Sequence, residues 1–222
     1  MPEVIEFHQF SNRPVKATTG DLSCWLCQRG VSERALFCHN CGTVQQVRDI
    51  DHFARLGVER RIDPDMELLR KQYETLKRSL EPSRFAIRGI GEKGHAERQV
   101  EALDNAYETL RDPLKRGRYW LSLNFSEVDR SEPSNPMIAD LVRELEDAIV
   151  PPDCDRIAQK AGQAMENGIM TLMQSLRGQN WQQANATLLE LDELEDILSS
   201  VRDRRLELLG KWFGLEVEDL PA

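Results

Sequence analysis

The sequence predicts a mainly α-helical protein with a small metal-knit module near its N-terminus, a helical hairpin in the middle and a three-helix bundle behind it. Three observations predict this. Four of the five cysteines form two C-x-x-C pairs ahead of residue 42. Apolar residues from residue 53 onward recur at spacings of three and four, the period of a half-buried helix. Proline, glycine and serine punctuate these periodic stretches where helices should start or stop.

The cysteine pairs are Cys24-Trp25-Leu26-Cys27 and Cys38-His39-Asn40-Cys41-Gly42, with ten residues between them. Two thiolates separated by two residues turn inward on one tight loop, and a second such loop completes a tetrahedral site for Zn²⁺. The same ligands accept iron, so the spacing leaves zinc and rubredoxin-like iron both open. A thioredoxin-like redox pair is disfavoured because no βαβ pattern surrounds either knuckle. With four protein ligands the site has no open position for a substrate, which makes it structural, and metal binding should fold residues 20–45. His39, between ligands, is expected to be exposed. Cys154 stands alone after Pro151-Pro152 and reads as a small apolar residue.

Asp51-His52-Phe53-Ala54-Arg55-Leu56-Gly57 reads as a brief helix closed by glycine. A longer helix is predicted to open at Asp63-Pro64, acid cap then proline, and to run as far as Pro82 with Leu69, Tyr73, Leu76 and Leu80 on one face. The next helix is predicted from near His95, with Val100, Leu103, Tyr107 and Leu110 in a second stripe. Two such helices bury their stripes against each other as an antiparallel hairpin, with the Pro82–Gly94 loop at its tip. Arg70, Lys71, Lys77 and Arg78 share a face of the first of these helices, and Arg84 and Arg88 follow in the loop. On composition alone the strip is a docking surface or a solvated face paired internally with Glu67 and Glu74.

After Asn124–Pro136, rich in serine and proline, Asn135-Pro136 caps a helix carrying Ile138, Leu141, Val142, Leu145 and Ile149. Pro151-Pro152 breaks it. A second helix is predicted from about Asp155 to Leu176, with Ala158, Ala161, Met165, Leu172 and Met173 inward. A third runs from Asn180-Trp181 to about Gly210 through Leu188, Leu191, Leu194, Leu198 and Val201. Three amphipathic helices with short breaks make an antiparallel bundle.

The chain carries a net charge of −9 over 222 residues. Residues 132–222 hold 18 acidic and 8 basic side chains, a balance of −10, and the other 131 residues sum to +1. Nucleic acid is thereby disfavoured as a main partner, since phosphate binding needs clustered Lys and Arg. No apolar run reaches the roughly 20 residues of a membrane span, and no secretory or organelle presequence is recognised at the N-terminus, so a cytoplasmic, membrane-free protein is expected. There is no nucleophile elbow, phosphate-cradling glycine loop or catalytic constellation, and a non-enzymatic role is expected.

The run from Leu103 to Arg116, LDNAYETLRDPLKR, resembles the third helix of J-domains, and its continuation Gly117-Arg118-Tyr119-Trp120-Leu121 is similar to the HscB family, co-chaperones of iron–sulfur cluster assembly. Some members also carry two cysteine pairs ahead of the J-domain. The resemblance covers about residues 24–210, most strongly 51–123. It implies a flexible segment 1–19, a tetracysteine module 20–48, a J-like domain 49–123, a linker 124–135, a three-helix bundle 136–212 and a tail 213–222. It also implies docking of Arg70, Lys71, Lys77, Arg78 and Arg84 on a DnaK/HscA-class ATPase chaperone. Met137, Ile138 and Leu141 match the positions at which the family binds the iron–sulfur cluster scaffold protein through exposed apolar residues.

One motif departs from that pattern. Where J-domains carry His-Pro-Asp, this chain has Glu81-Pro82-Ser83, and only the proline remains. Glu81 also opposes the macrodipole at a helix C-terminus, an effect of roughly 0.3–1 kcal/mol, which Arg84 is placed to offset as an ion-pair partner. Three readings stand: a different contact geometry, docking without triggering, or a hairpin that is only a scaffold. The functional readings are a co-chaperone bringing an iron–sulfur scaffold to its ATPase, or a non-stimulating adaptor organising another assembly. Nucleic-acid binding through the knuckles is weakest, with only Arg29, Arg34 and Arg48 nearby.

Overall fold

A computed structural model describes residues 22–85, 90–125 and 135–213. The expected flexible segment 1–19, Arg88, most of the linker and nearly all of the tail lie outside the described residues. The described residues form seven helices, preceded by a non-helical module held by two isolated antiparallel bridges, Ser23 with Gly30 and Phe37 with Val44. Contacts divide the chain into two units at Asp112/Pro113.

In the first unit α1 (His52–Leu56) is capped by the Asp51 carboxylate and closed by Gly57 at φ +67°, as the local residues predict. Helix α2 (Met66–Ser79) starts later than Asp63-Pro64 suggested. Asp65 is the cap, its carboxylate accepting from the N–H groups of Glu67 and Leu68 at 3.0 Å. It ends at Ser79 with Leu80 as cap, before a 3-10 turn over Pro82–Phe85. Helix α3 (Ile90–Arg111) starts five residues ahead of His95, so the tip loop is shorter than the sequence implied. Phe53, Leu56, Leu69, Leu80, Leu103 and Leu110 are all but fully buried where α1, α2 and α3 meet. Tyr73 and Tyr107 stack nearly parallel at 4.1 Å between centroids.

The second unit contains α4 (Pro113–Asn124), α5 (Pro136–Glu146), α6 (Pro151–Arg177) and α7 (Trp181–Phe213). Helix α4, which the sequence reading grouped with the hairpin, packs on α6 and α7. Gly117 permits this close approach: a Cβ there would lie 2.7 Å from Leu172 Cδ2. Asn135 caps α5 as predicted, accepting from the Met137 N–H at 3.1 Å. Pro151-Pro152 begins α6 rather than merely ending α5, because proline's missing N–H costs nothing in a first turn. Asp153 Oδ2 accepts from the Ile149 and Val150 N–H groups at 3.3 Å and fixes the corner. Val142 and Ile149, expected on the apolar face of α5, are exposed, and Ile149 lies beyond the helix end. Cys154 is buried. No helix among the described residues is long and apolar enough to cross a membrane.

Candidate functional site

The four cysteines of the two knuckles meet, with every sulphur within 4.8 Å of the others. Cys24 and Cys41 sulphurs are 3.7 Å apart, as are those of Cys27 and Cys38. A tetrahedral site with metal–sulphur bonds of about 2.3 Å has ligand edges of about 3.8 Å, so this spacing fits a metal and is far from the roughly 2.05 Å of a disulfide. Each knuckle turns in the same way. The residue after its second cysteine is left-handed, Gln28 at φ 60° and Gly42 at φ 71°, and its N–H donates to the carbonyl of the first cysteine at 3.0 and 2.8 Å. His39 is exposed and outside the cluster.

Side chains beyond the ligands support negative charge on sulphur. Gln45 Nε2 donates to Cys24 Sγ at 3.4 Å and Asn40 Nδ2 to Cys27 Sγ at 3.5 Å. Desolvation opposes ionisation of Cys24, but hydrogen bonds from the Cys27 and Leu26 backbone, Gln45 and Cys41 outweigh it and bring its pKa down to about 6. The Arg29 backbone lowers that of Cys27. At Cys41 the Thr43 backbone favours the thiolate, yet desolvation and three neighbouring sulphurs push the pKa up to about 12. Four thiolates crowd one another unless a cation lies among them, which is the chemistry of a metal-binding group.

The knuckles rest on the hairpin. Val44 N–H donates to Glu92 Oε1 at 3.2 Å, and Gln99 Nε2 donates to the Gln45 carbonyl at 3.0 Å. Trp25 donates its indole N–H to the Val44 carbonyl at 2.8 Å and lies 5.1 Å from the His95 ring. Phe37 faces Phe85 at 6.2 Å. None of these pairings has a sequence signal, because the partners lie far apart in the chain and no periodicity links them.

At the tip Glu81, Ser83 and Arg84 are exposed, with Ser83 Oγ donating to Glu81 Oε1 at 3.5 Å. The expected Glu81–Arg84 ion pair does not form. Arg84 turns back to the Arg78 carbonyl at 3.4 Å, where the α2 C-terminus already attracts a cation. Along α2, Lys71 and Arg78 are exposed and make no ion pair among the described residues, while Arg70 pairs with Glu74 at 2.9 Å. Lys77 leans toward α3, bonding the Asp104 carboxylate at 2.8 Å and Tyr73 Oη at 2.8 Å. Asp104 is a partner the sequence reading missed; only the hairpin's register could reveal it.

In the bundle, Asn135, Met137 and Ile138 border a cleft of about 230 Å³ completed by α6 and α7 residues such as Gly168, Gln183 and Leu191. Met137 is 42% exposed, whereas Ile138 and Leu141 are 3% and 2% exposed. Of the three positions expected to offer an apolar contact surface, Ile138 and Leu141 are committed to the core, since they share the inward face of α5, and Met137 reaches solvent.

No family model matches the sequence. Among solved structures, human co-chaperone HscB is similar over 84% of this chain and 100% of its own, with a TM-score of 0.73 and 22% identity. The fold is that of HscB. Chaperone HscB from Vibrio cholerae is similar over 72% of this chain and 99% of its own, at TM-score 0.58 and 24% identity. The HscB fold accommodates both the hairpin with its exposed tip and the helical bundle, and the tetracysteine group stands ahead of the hairpin.

Proposed function

We propose that this chain is a non-enzymatic, cytoplasmic co-chaperone that docks on a DnaK/HscA-class ATPase and delivers an iron–sulfur cluster scaffold protein to it. The HscB fold across most of the chain carries the reading. Lys71 and Arg78, with Arg70, Lys77 and Arg84, form a basic strip next to the tip, suited to steering toward an acidic surface. Lys71 and Arg78 lead this contact, because Arg70 and Lys77 already have carboxylate partners. The cleft beginning at Met137 is the proposed scaffold contact, with buried Ile138 in its lining and Leu141 in the core rather than at the surface. The four thiols hold structural Zn²⁺, for which the thiolate set and tetrahedral spacing are suited.

A second reading is favoured by the tip itself: a J-like adaptor that binds without triggering hydrolysis. Glu81 and Ser83 offer neither an imidazole nor an aspartate at an exposed position. Single-turnover ATP hydrolysis by the cognate DnaK-class chaperone, with this protein and with its Glu81→His/Ser83→Asp variant, separates the two. Stimulation by the natural protein supports the co-chaperone. Stimulation by the variant alone means an intact docking hairpin and favours the adaptor, and stimulation by neither removes the ATPase-triggering role.

A further inference from the structure

We propose that the tetracysteine group is a metal-dependent brace for the tip of the hairpin: when metal holds the knuckles, they hold the first turns of α3 and the Phe85 turn in place. The inference rests on the metal reading of the four thiols and goes beyond it, from a site that folds its own module to one that shapes the proposed docking tip.

The first turn of α3 is a poor helix by itself. Residues 90–94 are Ile-Gly-Glu-Lys-Gly, and each interior glycine weakens a helix about fivefold relative to alanine. Local propensity alone favours a start after Gly94. The segment is helical nonetheless, and the knuckles pack against it. Glu92, 5% exposed, accepts from Val44 N–H, and the Trp25 ring sits over this turn, 3.9 Å from the position of a Cβ on Gly91 and beside His95. One turn further, Gln99 donates to the Gln45 carbonyl, and the Gln45 side-chain amide donates to Cys24 Sγ. A hydrogen-bonded path of two residues therefore joins a metal ligand to α3. On the opposite flank Phe37, one residue before Cys38, packs on Phe85, which lies two residues after Ser83. The far half of the hairpin is held by other means, the Tyr73–Tyr107 stack and the Lys77–Asp104 pair. Metal loss should release the near half alone.

The test is hydrogen exchange on the reduced full chain, Zn²⁺-loaded and then stripped with a chelator, after the bound zinc has been counted. Residues 94–99 are read because amides at the very start of a helix lack intrahelical acceptors. Stripping is expected to speed exchange at 94–99 at least tenfold while leaving 103–110 and α2 unchanged. A Gly91→Ala/Gly94→Ala variant supplies helix propensity without the knuckles. A Cβ at either position meets only ordinary contacts, the nearest at 3.9 and 3.6 Å. In the stripped variant protection at 94–99 should return, by up to roughly thirtyfold, while residues 22–45 stay unprotected. Failure to bind zinc overturns the metal reading and the brace together. Zinc binding with unchanged exchange at 94–99, equal loss throughout the hairpin, or no recovery in the alanine variant overturns the brace alone.

Discussion

Replacing Gly162 by alanine should stabilise the second unit, and the same replacement at Gly168, six residues later on α6, should not. Both changes gain the same helix propensity, about 1 kcal/mol for alanine over glycine. At Gly162 a Cβ meets no atom within 4 Å, so the gain is realised. At Gly168 it would lie 2.7 Å from Leu191 Cδ2 and 3.3 Å from Leu191 Cγ. Carbon atoms prefer about 3.5–4.0 Å, so Leu191 or a helix must give by about 1 Å. Leu191 is fully buried, and overpacking of this kind costs about 1–3 kcal/mol. The net effect at Gly168 is then about 0–2 kcal/mol of destabilisation, and the two variants differ by about 1–3 kcal/mol. Thermal melting followed by circular dichroism reads this directly, since 1 kcal/mol moves Tm by about 4–8 °C in a domain near 100 residues. Equal rises in Tm for both variants would refute the close α6–α7 approach.

Leu103→Ala empties a fully buried site between the hairpin helices and should cost about 2–5 kcal/mol in urea denaturation. The hydrogen bond to Asp104, then that to Tyr73, holds the Lys77 pKa above the ordinary lysine value. A raised folded pKa means a contribution complete below about pH 10.4 and lost as pH climbs through the folded value. Side-chain NMR should show Lys77 as a late-titrating lysine, returning toward the others in Asp104→Asn. Gly42→Ala places a side chain at φ +71° with nothing near it to clash, so the cost is purely conformational, about 1–2 kcal/mol. It should weaken Zn²⁺ binding about five- to thirtyfold in competition with a chromophoric chelator, and an unchanged affinity would mean the knuckle does not close as described.

The elements legible in the sequence are those whose cause lies within a few residues. The thiol pairs announce their knuckles because two residues are what a tight loop needs between ligands. Asp51, Gly57 and Asn135 mark helix ends through bonds to their own neighbours. The stripes Leu69–Leu80 and Val100–Leu110 predict a hairpin because their period is that of one helix face. Helix α2 starts two residues after the Asp63-Pro64 signal, since Asp63-Pro64 and Asp65 are rival caps in the same local code.

By itself, then, the sequence determined the helical class, the two thiol pairs able to hold a metal and the pairing of α2 with α3, all consequences of short-range spacing and one-sided burial. Tertiary structure decided what depends on distant partners. It placed α4 with α6 and α7, because Gly117 lets Leu172 approach. It turned Lys77 toward Asp104, out of the open part of the basic strip. Between neighbours on α5 it chose Met137 for solvent and Ile138 for the core, a choice that helical period narrows and only the packing of α6 and α7 makes. It drew α3 back to Ile90 through two glycines, since bonds and rings from the knuckles supply there what local propensity lacks.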